Sequence, residues 1–265
     1  MMYAALPSMR LAILLLCIIE TVPAWAADNA RLMDILVSSY PNFLARHEGD
    51  ELVWKDGTRT KFDDGKGNKS FDELLNDPSP KDMFYYPYPT GGAAVPAKNA
   101  DPGRIRYEPL FTKMYGDCRK GQVQKSLVEV VWLPRKWGHR IQVTRINGVA
   151  EKLAEVSREL DRLPASFDKY LIPPAGTFNC RAIAGTARLS AHGTGTAIDI
   201  ATRHSDYWRW GHAGSGGSPR WHNAIPDEIV RIFERHGFIW GGRWYHFDTM
   251  HFEYRPEILK AARSR

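Results

Sequence analysis

Hydrophobic residues follow regular patterns in the C-terminal half of the chain. Short apolar or alternating runs predict strands at residues 127–133, 141–146, 196–201, 238–240 and 250–254. No βαβ unit repeats along the sequence, and helical and strand patterns are mixed. The pattern therefore predicts an α+β fold.

Two segments of the same half have the spacing of amphipathic helices. The apolar face of the first helix would consist of Val149, Leu153, Val156, Leu160 and Leu163. Asn147 precedes this face and is predicted to cap the helix. A second helix is predicted to begin at Pro226 and to end at Gly237, since proline favours the first turn and glycine ends helices.

The N-terminal half is less regular but contains two recognisable elements. Leu32, Ile35 and Leu36 share one face of a predicted helix. The dipeptide Asp56-Gly57 lies between two strand-like segments and is a strong signal for a β-hairpin. We expect this half to be an irregular region with a few short elements.

A stretch rich in proline, glycine and tyrosine extends over residues 78–109. Its aromatic content argues against a plain linker and favours a loop wrapped over a surface, either as packing or as an aromatic wall for a glycan or a peptide. We therefore divide the mature chain into an accessory region, residues 27–120, and a main domain, residues 121–265.

The first residues have the pattern of an export signal. Arg10 precedes an apolar run over residues 11–22, and Ala24-Trp25-Ala26 has the small-x-small form of a cleavage site. The run is short for a membrane span, so an uncleaved anchor helix is the less favoured alternative. The pattern predicts a signal peptide over residues 1–26 and a periplasmic or secreted protein.

Composition narrows the class of protein. The 265 residues are 43% hydrophobic and 25% charged, values that exclude a disordered polymer and a multi-span membrane protein. Lysine and arginine total 36 against 30 acidic residues, a net charge of +6. This mild basicity is compatible with an anionic partner such as a cell-wall polymer, although many basic proteins bind nothing acidic.

The cysteines support export. Cys17 lies in the predicted signal, which leaves Cys118 and Cys180 in the mature chain. An even pair in an exported protein predicts one disulfide, because such bonds persist in oxidising compartments. Two separate buried thiols are the alternative.

Three residues form a candidate zinc site. His192, Asp199 and His251 offer two imidazoles and one carboxylate, a ligand set that leaves a fourth position for water. In the predicted strand, Asp199 shares a face with the small Ala197, and a buried carboxylate there requires a cation or several donors. His192 is an odd number of residues away, so the glycine-rich backbone between them must turn to bring it back.

Other residues are candidates for catalysis and substrate binding. Asp248 can take a proton from water and pass it to a leaving amine. Arg181 or Arg188 could hold a developing oxyanion or a substrate carboxylate. Trp244 is either a core residue or part of the cleft wall, and His246 either supports a ligand or is unrelated to the site.

Together these motifs resemble a known family. The pattern Ser-x-His-x-x-Gly-x-Ala-x-Asp over residues 190–199 is followed by Trp-Gly-Gly-x-Trp over 240–244 and Asp-x-x-His-Phe-Glu over 248–253. The combination resembles the zinc D-alanyl-D-alanine carboxypeptidase and L-alanyl-D-glutamate peptidase family, which includes vancomycin-resistance dipeptidases and phage endolysins. The resemblance covers roughly residues 140–257.

The resemblance implies a fold and roles for individual residues. The fold would be the small antiparallel sheet with flanking helices that the family shares with the Hedgehog signalling domain. The implied zinc ligands are His192, Asp199 and His251, the implied base is Asp248, and the implied substrate contacts are Arg181 and Ser190. The dipeptidase branch has glutamate where this chain has Asp248, which favours the endolysin-like branch.

The sequence therefore predicts an exported zinc peptidase that hydrolyses peptidoglycan stem peptides, as a D,D-carboxypeptidase or an L-alanyl-D-glutamate endopeptidase. We expect no nucleic-acid partner and no stable membrane insertion after signal cleavage. One alternative is a non-catalytic zinc module that binds peptides or the cell wall. Another is a hydrolase with a substrate outside the wall, such as a secreted toxin or a processing peptidase.

Overall fold

A computed structural model describes residues 24–210 and 220–264. Most of the predicted signal peptide, residues 1–23, lies outside the described residues, and residues 24–26 begin the first helix. Within the described ranges, no helix combines the length and the apolar character that a bilayer crossing requires.

Helices and short antiparallel sheets alternate along the described chain. The α-helices are α1 (Ala24–Ser39), α2 (Phe71–Asn76), α3 (Glu108–Tyr115), α4 (Val149–Leu160), α5 (Asp168–Leu171), α6 (Asp227–Arg235) and α7 (Pro256–Arg263). The strands are β1 (Leu44–Glu48), β2 (Glu51–Trp54), β3 (Arg59–Lys61), β4 (Leu127–Trp132), β5 (His139–Thr144), β6 (Ala197–Asp199), β7 (Phe238–Trp240) and β8 (His251–Tyr254). The predicted α+β class is confirmed, and the narrower Hedgehog-type fold stays a prediction.

The C-terminal sheet has the strand order β6-β8-β7, with antiparallel pairing throughout. Helix α6 packs against this sheet, and Phe233 stacks on Phe252 with ring centroids 3.8 Å apart. The apolar face of the sheet is therefore covered, which leaves the opposite face for polar side chains. Asp199 pairs with His251 in the register, and Ala197 pairs with Glu253.

The hairpin β4-β5 packs on helix α4 and forms a second layer. Helix α4 begins one residue later than its predicted cap implied, because Gly148 is the N-cap residue. Asn147 has a left-handed backbone, with φ of 55°, so its side chain is not placed to cap the helix. The capping prediction was wrong, since asparagine tolerates this conformation and serves here as a turn residue.

The N-terminal region contains the antiparallel sheet β1-β2-β3, which includes the predicted hairpin. Strand β1 was not predicted. Helix α1 packs against both β1 and α7, and one hydrophobic core includes Leu36 and Phe111 from this region and Leu153 and Phe252 from the other. The domain boundary at residue 120 stays a prediction.

The disulfide between Cys118 and Cys180 is confirmed. It joins residues 62 positions apart, so it removes on the order of 4 kcal/mol of chain entropy from the unfolded state. It also ties the segment after α3 to the loop that carries Arg181.

Candidate metal centre

Two of the predicted ligands lie directly opposite each other in the C-terminal sheet. Asp199 is the last residue of β6 and His251 is the first residue of β8, and the two are paired in the register. The Oδ1 atom of Asp199 lies 2.9 Å from the Nδ1 atom of His251. Strand pairing alone thus brings together two donors that are 52 residues apart in sequence.

His192 reaches the same point from a 3-10 turn, Ala191–Thr194, that precedes β6. The hydroxyl of Ser190 accepts a hydrogen bond from the backbone N–H of His192 and caps the turn. Gly195 then reverses the chain with φ of 69°, and a Cβ atom there would lie 3.0 Å from the backbone nitrogen of Thr144. This turn brings His192 to Asp199, as the glycine-rich sequence predicted.

The three donor atoms are spaced to hold one metal ion. The Nε2 atom of His192 lies 3.2 Å from Asp199 Oδ1 and 3.2 Å from His251 Nδ1. Tetrahedral zinc with bonds of about 2.0–2.1 Å places its ligand atoms about 3.3 Å apart. His192, Asp199 and His251 are therefore a group of side chains, found among the described residues, whose geometry could hold a metal ion.

Each histidine ring has a polar partner on its far side. The Nδ1 atom of His192 donates to the backbone carbonyl of Thr177 at 2.5 Å, which leaves Nε2 free to bind a metal. The Nε2 atom of His251 lies 3.6 Å from Glu253 Oε2, which leaves Nδ1 facing Asp199. Such outer partners fix the tautomer and orientation of metal-binding histidines.

The electrostatics of the centre favour a cation. Burial lowers the pKa of His251, but Asp199, Glu253 and Asp248 together raise it to about 10. Burial raises the pKa of Asp199, but the two histidines outweigh it and hold that pKa well below its usual range. The negative charge of the carboxylates therefore favours a positive charge at this point. A divalent ion bound there would compete with the proton on His251.

Asp248 lies in the turn before β8, where the sequence placed it. The backbone N–H of Asp248 donates to the carbonyl of Gly241, and the backbone carbonyl of Asp248 accepts from the N–H of His251. The side-chain Oδ1 is buried and has no hydrogen-bond partner in the part of the chain that the structure describes. Burial, and then the charge of Asp199, raise the pKa of Asp248 to about 6. A carboxylate of this kind is suited to exchange protons near neutral pH.

A cleft of about 290 Å³ contains the three donors and Asp248. Its walls include Arg104, Arg106, Arg181, Tyr207, Trp210 and Trp244. Trp244 combines both predicted roles: it is buried, its indole N–H donates to the carbonyl of Pro102, and its ring lies 5.5 Å from that of His251.

Of the other candidate residues, some line the cleft and others lie outside it. Arg181 is exposed on the cleft wall, and Ser190 lines the cleft behind His192. Arg188 does not line this cleft and instead lines a neighbouring cavity. His246 pairs with Asp101, with Nδ1 2.8 Å from Oδ2, and is not among the residues that line the cleft.

Three residues near the centre were missed by the sequence reasoning. Glu253 was inside a quoted motif, and its period-two spacing from His251 could have placed both on one face. Arg104 and Arg106 come from the irregular region, where no pattern indicated that their side chains reach a sheet more than 90 residues away.

Comparison with known proteins agrees with the motifs. Residues 184–254 match the sequence profile of the family described as D-alanyl-D-alanine carboxypeptidase. The matched segment includes His192, Asp199, Asp248 and His251. The chain has no significant match among curated proteins or among solved structures. The resemblance inferred from the sequence is thereby confirmed for this segment.

Proposed function

Because residues 184–254 belong to the D-alanyl-D-alanine carboxypeptidase family, we propose that this protein is an exported zinc peptidase acting on peptidoglycan stem peptides. The observation that carries the proposal is the convergence of four side chains in one cleft. Three of them, His192, Asp199 and His251, form the candidate metal site, and Asp248 is the fourth.

The residues of the cleft fit the hydrolysis of an amide. A zinc ion bound there would supply Lewis-acid activation of water and of the scissile carbonyl. Asp248 accepts the proton that water loses and returns it to the leaving nitrogen, since its free Oδ1 has no competing partner among the described residues. Arg181, on the wall of the same cleft, orients the substrate through its guanidinium.

A non-catalytic zinc module is the second candidate function. The burial of Asp248 is evidence against it. A structural zinc site is normally closed by four protein ligands, whereas the group found among the described residues has three. A buried carboxylate without a partner lowers stability, so a binding module gains nothing from keeping it.

Export is part of the proposal. The signal-like pattern of residues 1–26 and the disulfide support it, because disulfides form and persist in periplasmic and extracellular compartments. In that location, the protein meets cell-wall peptides as its substrates.

Incubation of the mature, zinc-loaded protein with purified sacculi and defined muropeptides tests the proposal, with product masses read by mass spectrometry. Loss of the terminal D-alanine identifies a carboxypeptidase, and cleavage between L-alanine and D-glutamate identifies an endopeptidase. A chelator should abolish either product. Zinc binding without cleavage of any wall peptide would contradict the proposal and favour a binding module or a hydrolase with another substrate.

A further inference from the structure

A second cavity of about 220 Å³ adjoins the metal cleft. It lies between the two sequence regions: Leu75 and Phe111 form one side, and Leu189 and Thr194 form the other. Arg106 lines both the cavity and the cleft, as does Ser190, so the two spaces share a wall. A substrate in the cleft therefore lies next to the cavity.

Arg106 connects the N-terminal region to the strand that carries a ligand. Its Nε atom forms an ion pair with Oε1 of Glu253 at 3.2 Å, and the other carboxylate oxygen of Glu253 faces His251. The terminal amino groups of Arg106 have no hydrogen-bond partner within residues 24–210 and 220–264. They are available to a ligand at the wall that the two spaces share.

Two ion pairs lie behind this wall. Arg255 donates from Nε to Glu257 Oε1 at 2.5 Å, and Arg106 pairs with Glu253. Arg188 takes part in neither pair.

The remaining acids of the cavity have other partners. Glu108 lies 3.6 Å from Arg119 and accepts from the backbone of Leu189, while Asp77 pairs with Lys66 at 2.6 Å. Neither forms a hydrogen bond or an ion pair with Arg188, although Glu108 and Asp101 attract its charge from a distance.

The side chain of Arg188 has no hydrogen bond or ion pair to any other described residue, and its Nε atom is buried. Burial, and then the charges of Arg106 and Arg104, lower the pKa of Arg188 to about 10. An uncompensated guanidinium in such a place destabilises the protein, whereas a bound anion would neutralise it.

We propose that Arg106 and Arg188 bind a carboxylate of the peptide substrate in this second cavity. Guanidinium groups recognise carboxylates through paired N–H donors, and the small cavity suits one amino-acid-sized group. The proposal rests on the proposed function, since it assigns a carboxylate-bearing peptide to the same cleft. Two sources have this chemistry in a stem peptide: the C-terminal carboxylate and the α-carboxylate of D-glutamate.

Peptide binding to the metal-depleted protein tests the proposal without requiring turnover. The probes are the stem pentapeptide L-Ala-γ-D-Glu-L-Lys-D-Ala-D-Ala, its C-terminal amide and its D-isoglutamine form, each titrated calorimetrically. We expect one of the two amidations to weaken binding to the wild-type protein by about 10- to 100-fold. The amidation that weakens binding identifies the source of the carboxylate.

Arg188→Gln is the primary variant because it removes no hydrogen bond or ion pair among the described residues. It should weaken binding of the parent peptide by about the same factor and leave binding of the amidated peptide unchanged, with Arg188→Lys intermediate. Arg140→Gln is the matched control, since Arg140 is an exposed arginine paired with Glu129 on another strand pair, and it should bind all three peptides as the wild type does.

The outcomes separate this proposal from the proposed function. Equal affinity of the wild-type protein for all three peptides, or no measurable binding of any of them, would overturn the carboxylate site even if wall peptides are cleaved. An equal loss for all peptides in Arg188→Gln would overturn it as well. A selective loss that reverts on amidation supports it even if no peptide is cleaved.

Discussion

The metal cleft and the second cavity beside it differ in the sign of their unpaired charge. At the metal end of the cleft, Asp199, Glu253 and Asp248 raise the pKa of His251 to about 10 despite burial. In the neighbouring cavity, the side chain of Arg188 forms no hydrogen bond or ion pair with another described residue. The cleft is suited to a metal cation and the second cavity to an anion. A peptide with a carboxylate near its scissile amide would place the amide in the cleft and the carboxylate in the cavity.

The origins of the two cavities also differ. The metal end is built almost entirely from the C-terminal sheet and the turns beside it, so its residues lie in two short motifs. The second cavity is closed by residues from the irregular N-terminal half, such as Leu75, Arg106 and Phe111. The comparison teaches that the proposed chemistry and the proposed carboxylate recognition depend on different side chains, which separate substitutions can distinguish.

The largest expected effect comes from loss of a ligand. His251→Ala should lose both zinc binding and peptidase activity, because two donors do not hold zinc against solvent at this site. Zinc content by elemental analysis and product formation by mass spectrometry measure the two effects. Full activity in a zinc-free His251→Ala protein would show that the cleft uses another chemistry.

Removal of the proposed base should separate catalysis from metal binding. Asp248→Ala should retain one zinc ion per chain and lose about 10²- to 10⁴-fold in kcat, the usual contribution of a general base. Measured kcat and zinc content check this, with His251→Ala as the comparison that loses both. An Asp248→Ala protein that keeps wild-type kcat would show that the base is another residue.

Glu253 lies between the two cavities, and its replacement should affect them differently. Glu253→Gln removes the carboxylate behind His251, so zinc affinity should fall by about 10- to 100-fold, as for other outer partners of metal ligands. It also frees Arg106, so binding of a carboxylate peptide should hold or strengthen.

Competition with a chromophoric chelator measures the zinc affinity, and calorimetry measures peptide binding. Circular dichroism of the variant controls for folding, because Glu253 is buried between two arginines. Parallel loss of zinc and peptide affinity in a folded Glu253→Gln protein would contradict the separation of the two cavities.

Much of this architecture could be predicted from sequence because its signals are local. The strands β4, β5 and β7 and the helices α4 and α6 follow the hydrophobic periodicity closely. The candidate metal ligands were identified because two histidines and an aspartate lie in two short motifs, and one turn and one strand pair can bring them together. The disulfide followed from the count of cysteines.

The second cavity could not be predicted in the same way. Arg106 and Arg188 are 82 residues apart, and their proximity results from how the irregular segment packs on the sheet. No periodicity encodes such packing, since it is set by tertiary contacts. Asn147 shows a smaller limit of the same kind, because a residue that favours caps also favours left-handed turns, and only the backbone distinguishes the two.

The smallest expected effect is a pH-dependent difference in stability that reports the charge of Asp248 directly. Burial, and then Asp199, raise the pKa of Asp248 to about 6 in the folded protein, against about 3.9 for an unperturbed aspartate. Its contribution to stability is therefore fully present below about pH 3.9 and is lost as the pH rises through about 6. Metal-free Asp248→Asn should match the wild-type protein near pH 4 and exceed it above pH 6 by about 1–3 kcal/mol.

Urea unfolding of both metal-free proteins between pH 4 and pH 8 measures this difference. Zinc-loaded samples are the control, because the charge of the ion lowers the pKa of Asp248 and should shrink the difference at every pH. A difference that does not change with pH, or a wild-type protein that is the more stable at pH 8, would show that Asp248 does not carry an uncompensated charge. The charge contrast between the two cavities would then rest on Asp199 and Arg188 alone.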